Sequence, residues 1–220
     1  MARILLISGS TREDSLHTAA LRTAALIAPP GVTAVLYDAL RVLPAFVPLE
    51  RSVPGSVGLL REQVAAADGV LFCTPEYGGS LPGSLKNLLD WLADGPHLTG
   101  KPAAWISVAA PGQDDGARVA LEAVLDHAGA RLLRSAGIRI PLPPTAVDAR
   151  GLVPEPQFHQ AAQDVLLSLS RSQSPAPEQA QPSWQAYSSL YPMVQQTDTS
   201  TLRAGGRPRP TVWQPPHTGS

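Results

Sequence analysis

The chain has 220 residues, 44% of them hydrophobic and 16% charged, with a formal net charge of -1. Such a chain can bury one globular core with an appendage, and its near-neutral balance argues against nucleic acid or an anionic membrane as its main partner. It has no apolar run of ~18 residues and no charged-then-apolar leader, so neither a membrane span nor a signal peptide is expected and the cytoplasm is the default location.

The first apolar run, residues 3 to 8, contains Ile4-Leu5-Leu6-Ile7 and leads directly into Ser8-Gly9-Ser10-Thr11-Arg12-Glu13-Asp14-Ser15-Leu16-His17. Four consecutive large apolar residues predict a parallel strand covered on both faces. The turn after it gathers the hydroxyls of Ser10, Thr11 and Ser15, the guanidinium of Arg12 and a helix N-terminus around one point, which suits a phosphate. A dinucleotide fingerprint needs three spaced glycines and this turn has only Gly9; a P-loop needs Gly-Lys-Ser/Thr, and no Lys follows. What remains is a loop for a terminal phosphomonoester, as on a mononucleotide such as FMN. The plainer alternative is a hydroxyl-rich turn in which Ser15 or Asp14 merely caps the helix.

Helical stripes and strands then alternate. Leu16, Ala20, Ala24 and Ile27 mark the first helix, followed by a strand over 32 to 37. Val57, Leu60, Val64 and Ala67 mark the second helix, before a strand over 69 to 74. Leu85, Leu88, Leu89 and Leu92 predict the third helix, before a strand over 102 to 108. Leu121, Val124, Leu125 and Ala128 predict the fourth, before a strand over 132 to 140. Phe158, Ala162, Val165, Leu166 and Leu169 give a final helix within 155 to 170. Right-handed crossovers between five parallel strands lead to a doubly wound sheet of order 2-1-3-4-5 with helices on both faces, and a ligand at the switch between strands one and three.

The strand at 69 to 74 opens a second segment, Pro75-Glu76-Tyr77-Gly78-Gly79-Ser80-Leu81-Pro82-Gly83-Ser84-Leu85-Lys86-Asn87-Leu88-Leu89-Asp90-Trp91. Its prolines and glycines would mark a turn in any protein. Together, however, the two segments resemble those of the NAD(P)H-dependent FMN reductases of the flavodoxin-like superfamily, over roughly residues 1 to 145. Members usually show G-S-x-R-x-x-S-x-N after the first strand and P-E-Y-N-x-S-x-P-G-x-L-K-N-x-x-D-W after the third.

The resemblance implies that Ser10, Arg12 and Ser15 hold the FMN phosphate and that Pro75, Glu76 and Tyr77 lie in the loop against the isoalloxazine ring. His17 and Gly78 stand where Asn is usual; the imidazole still offers an N–H, whereas Gly78 leaves only backbone. The third loop, Ser107 to Arg118, supplies Gly112 but has Asp115 in place of a glycine, and Ala109 and Ala110 in place of small hydroxyl residues. The implied activity is transfer of hydride from NADPH or NADH through bound FMN to a small-molecule acceptor such as a flavin or quinone, without a catalytic side chain. A homodimer or homotetramer is also implied, to which the Leu88, Trp91 and Leu92 helix is expected to contribute. An FMN-binding electron carrier is the alternative, against which the lack of acidic charge counts, and a flavin-free α/β protein is the third reading.

Cys73 is the single cysteine, which excludes an intramolecular disulfide, and its place at a strand end predicts a buried small hydrophobe. The five histidines, at 17, 97, 127, 159 and 217, include no pair at zinc-ligand spacing, so no structural metal is expected. His127 falls late in a helix, where its charge would suit the dipole. After residue 171 the chain turns rich in Pro, Ser, Thr and Gln, holding eight of the 23 prolines, and this composition predicts partial disorder for 171 to 220. Trp184, Tyr187, Tyr191 and Trp213 are aromatic islands there, able to dock on the core or on a second subunit.

Overall fold

The computed structural model describes residues 1 to 50 and 52 to 172. The expected tail of 171 to 220 therefore lies almost wholly outside the described residues. The β-strands are β1 (Ala2–Ser8), β2 (Val32–Tyr37), β3 (Gly69–Cys73), β4 (Pro102–Ser107), β5 (Arg131–Leu132) and β6 (Ile138–Arg139). The helices are α1 (Leu16–Leu26), α2 (Gly55–Ala65), α3 (Gly83–Ala93), α4 (Asp115–His127) and α5 (Pro156–Arg171). All strand pairings are parallel, in the order β2-β1-β3-β4-β5, with β6 also paired to β4. The doubly wound order 2-1-3-4-5 is thus observed.

The alternation within β1 explains its unbroken apolar run. Leu5 and Ile7 point to the side covered by α2, α3 and α4, joining Leu60, Val64, Leu85, Leu89, Leu121 and Leu125. Ile4 and Leu6 point to the side covered by α1 and α5, joining Leu21, Ala24, Phe158, Leu166 and Leu169. With both faces buried, neither parity can be polar. Burying each such side chain contributes about 1.5 to 3 kcal/mol.

The expected strand over 132 to 140 is broken in two by a short 3-10 turn at Arg134–Ala136. Trp105 of β4 is the cause. Its indole lies so close to Gly137 that a Cβ there would come within 2.7 Å of the ring, and the edge must detour around it. The same indole donates to Glu122 of α4 at 3.0 Å, fixing the ring in the detour.

A second correction concerns α3. Leu88, Trp91 and Leu92 are buried within the chain, so they are not a free face for a partner. The loop after β2 covers them. Trp91 Nε1 and Asn87 Nδ2 both donate to the Pro44 carbonyl at 2.9 Å, Asn87 Oδ1 accepts the Phe46 N–H at 2.7 Å, and the Phe46 ring meets Trp91 edge-on at 5.0 Å. The Asn and Trp of the second motif therefore hold a loop in place. Large apolar side chains left outside include Val42, Val47 and Leu49, all on or next to that loop.

Candidate functional site

The site begins where β1 and β3 end side by side. Gly9 makes this possible: a Cβ there would overlap the Thr74 side chain and meet Leu85, so only glycine lets the two strand ends close up. The loop from Ser10 to Ser15 then turns into α1, with Ser15 as N-cap accepting the Thr18 N–H at 3.4 Å. Capping is thus one role of Ser15. The first N–H groups of a helix have no partner within it, so this helix start suits an anion. The Ser10 hydroxyl, largely buried, accepts the Arg12 N–H at 3.3 Å and braces the turn, while Ser8 and Thr18 exchange a hydroxyl hydrogen bond of 2.8 Å beneath it.

From the other strand come Pro75 and Tyr77. The chain after Tyr77 reverses through two residues of positive φ, Gly78 at 59° and Gly79 at 74°, closed by paired hydrogen bonds between Tyr77 and Ser80 of 3.0 and 3.1 Å. Left-handed backbone favours Gly and, next, Asn, so Gly78 preserves the turn that Asn would make there.

Ser10, Arg12, Ser15, His17, Pro75 and Tyr77 all line one cavity of about 390 Å³, completed by Asp14, Leu16 and Pro144. That volume is in the range of small-molecule sites. Three other expected residues do not line it. The Glu76 carboxylate instead accepts the Ala117 N–H at 2.9 Å, capping α4 from outside. Gly78 is at the turn tip, and Gly112, with φ of 82°, shapes the loop after β4. Gly116 explains how α4 and the second loop fit together, since a Cβ there would run into the Gly79 carbonyl.

The electrostatics depart from the simple cationic loop expected. Arg12 is already engaged by Asp14, through Nε at 3.2 Å and Nη2 at 3.0 Å to both oxygens, on an exposed rim. This pairing holds Asp14 below the usual carboxylate range and raises Arg12. His17 is pushed down to about 4 by burial, partly offset by the Asp114 carboxylate, and its Nε2 is shielded from water without a hydrogen-bond partner. The imidazole is therefore neutral at pH 7. Asp114 is buried at the start of α4 and is held by Arg139 at 2.6 Å; the same guanidinium nitrogen reaches Asp115, also at 2.6 Å. The glycine replaced by Asp115 has become one arm of an ion cluster that fixes the third loop. Burial raises the Cys73 thiol and keeps it protonated, as suits a core residue and not a nucleophile.

Sequence reasoning missed Asp14, Asp114, Arg139 and Pro144. Asp14 was legible as a neighbour of Arg12. The Asp114–Arg139 pair spans 25 positions with no local signal, and Pro144 joins the cavity only through the fold.

Comparison with known proteins agrees with this arrangement. The sequence matches the family described as NADPH-dependent FMN reductase over residues 2–138. It is 40% identical over 116 residues to an NAD(P)H-dependent FMN reductase of Pseudomonas aeruginosa, covering 49% of this chain and 60% of that protein. It is 36% identical over 121 residues to a quinone reductase of Escherichia coli, covering 53% and 64%. The chain thus spans less than two thirds of either relative. Among solved structures, the flavoenzyme NAD(P)H:(acceptor) oxidoreductase FerB of Paracoccus denitrificans superposes with a TM-score of 0.67 at 28% identity, covering 79% of this chain and 97% of that one. With both motif loops meeting at the β1/β3 switch point of the same sheet, the chain belongs to the NADPH-dependent FMN reductase family.

Proposed function

We propose that this protein is an NAD(P)H-dependent flavin or quinone reductase that holds FMN in the cavity between the β1 and β3 loops. The observation that carries the reading is the convergence of Ser10, Arg12, Ser15 and His17 with Pro75 and Tyr77 on that one cavity. The donor set fits a flavin mononucleotide: hydroxyls, first-turn N–H groups and the His17 ring suit a phosphomonoester, and a Pro-Tyr wall offers an apolar surface to a ring.

When bound, FMN supplies the hydride chemistry, accepting from a nicotinamide and passing electrons to a small acceptor. The chain binds and orients. Ser10 and Ser15 would donate hydroxyl hydrogens to the phosphate, Tyr77 and Pro75 would lie against the ring, and the Glu76 carboxylate ties the ring loop to α4 through the Ala117 N–H. The loop after β4, fixed by Arg139 on Asp114 and Asp115, supplies backbone N–H groups to the same end of the sheet. No side chain of the site is placed to act as a nucleophile.

A cytoplasmic setting, where nicotinamide cofactors are supplied, fits this reading; among the described residues no helix is long and apolar enough to cross a membrane. Assembly as a homodimer or homotetramer goes with it, supported by the exposed Val42, Val47 and Leu49. Titration of the purified chain with FMN under fluorescence detection, followed by NADPH oxidation with a quinone, tests the proposal. Saturable quenching and acceptor-dependent oxidation are expected; no FMN binding at micromolar concentration would refute it.

A further inference from the structure

His17 is the most unusual group in the cavity. It stands in the first turn of α1, beside Ser10, Arg12 and Ser15, at the place where a phosphomonoester meets the helix N-terminus. An Asn there would give a fixed amide donor. An imidazole can do the same as a neutral N–H, and it can also take on charge.

The groups that face it decide which. From its own loop come Arg12 and Asp14, paired with one another and so nearly cancelling. From the β3 loop comes the Tyr77 ring, and Cys73 near that strand end stays a neutral thiol. From the start of α4 comes the Asp114 carboxylate, itself held by Arg139 of β6. None of these outweighs burial, and the shielded Nε2 has no hydrogen-bond partner to stabilise a second proton. Arrival of a phosphate dianion changes the balance, because two negative charges at hydrogen-bond distance favour the imidazolium far more than the exposed Arg12–Asp14 pair opposes it.

We infer that FMN binding to this chain is proton-linked, His17 taking up one proton from solvent as the phosphate docks, so that the cofactor is held by an imidazolium–phosphate pair. This rests on the flavin reading above. Affinity for FMN then falls as pH rises through the His17 value of the complex, while affinity for riboflavin, which lacks the phosphate, is unaffected by that step.

The test is calorimetric titration of FMN into the full chain at pH 7.0, in buffers of differing ionisation enthalpy, so that the proton count is read from the slope. At that pH the free phosphate is mostly a dianion already, its second ionisation lying near 6. Uptake of about half a proton or more per FMN is expected for the native chain, and about none for riboflavin or for His17→Asn, which should still bind FMN through its amide. Because the substitution could disturb folding, the imidazole resonances of His17 in the native chain provide a second measurement: FMN should raise their titration midpoint by about three pH units, to about 7 or above, and riboflavin should not. FMN binding with no proton uptake, or with the same uptake in His17→Asn, overturns this inference and leaves the flavin reading standing. Absence of FMN binding overturns the reading itself.

Discussion

Arg12 and His17 both line the cavity proposed to take the FMN phosphate, yet the structure gives them opposite constraints. Arg12 is exposed and already occupied, so its contact with a phosphate must be shared with Asp14. Asp14→Asn should therefore strengthen FMN binding by a few-fold, by releasing the guanidinium, whereas Arg12→Ala should weaken FMN by about tenfold and riboflavin hardly at all. Parallel fluorescence titrations with the two flavins measure both effects, and equal losses for FMN and riboflavin would remove Arg12 from the phosphate site.

His17 is half-buried and neutral at pH 7. Its folded value of about 4 lies below the ordinary 6.5, so the unfolded chain binds the extra proton first. The stabilisation is fully present above pH 6.5 and is lost as pH falls toward 4, in total about 3 kcal/mol. Thermal unfolding of the flavin-free protein between pH 7 and 4 should show this loss, and His17→Asn should flatten it. The position of His17 was readable from the first motif. Its neutrality was not, because the burial that lowers its value, and the Asp114 carboxylate that partly opposes this, come from the fold and not from the motif.

At the scale of elements, the strands and helices of the sheet's centre are legible because each apolar stripe has one destination. Ile4 and Leu6 can only face α1 and α5 while Leu5 and Ile7 face the other layer. The last strand was misread as continuous, since nothing near residue 137 announces that Trp105 occupies the space a straight strand would need. The Glu76 cap was equally hidden: the motif places Glu76 in a cofactor loop, and only the fold shows its carboxylate on the Ala117 N–H. Replacing Glu76 by Ala should remove that cap, loosen the ring loop and lower α4 stability by about 1 kcal/mol. Flavin affinity should fall with it, as a paired thermal melt and FMN titration would record. At Gly78, Asn should be tolerated and Val should not, because the left-handed backbone admits Asn but penalises a branched side chain. Circular dichroism with flavin binding distinguishes a displaced loop from a lost fold.

For the whole molecule, every residue assigned to the cavity lies between Ser10 and Pro144. Deleting residues 176 to 220 should therefore leave folding and FMN affinity largely intact, as melting and flavin titration of the shortened chain would show. Multi-angle light scattering of the FMN-loaded protein at micromolar concentration should report a dimer or larger, and Leu49→Lys should shift that mass toward the monomer if the exposed loop after β2 is the contact.

The central claim is that this cavity joins a flavin to nicotinamide chemistry. Anaerobic stopped-flow mixing of the FMN-loaded chain with NADPH, and separately with NADH, tests it most directly. A reductase bleaches the oxidised flavin band in a single two-electron phase with at least one of the two nucleotides, and a quinone added afterwards restores the band. Flavin that remains oxidised with both nucleotides, yet is readily reduced by a one-electron chemical reductant, would contradict the reductase and leave an FMN-binding electron carrier in its place.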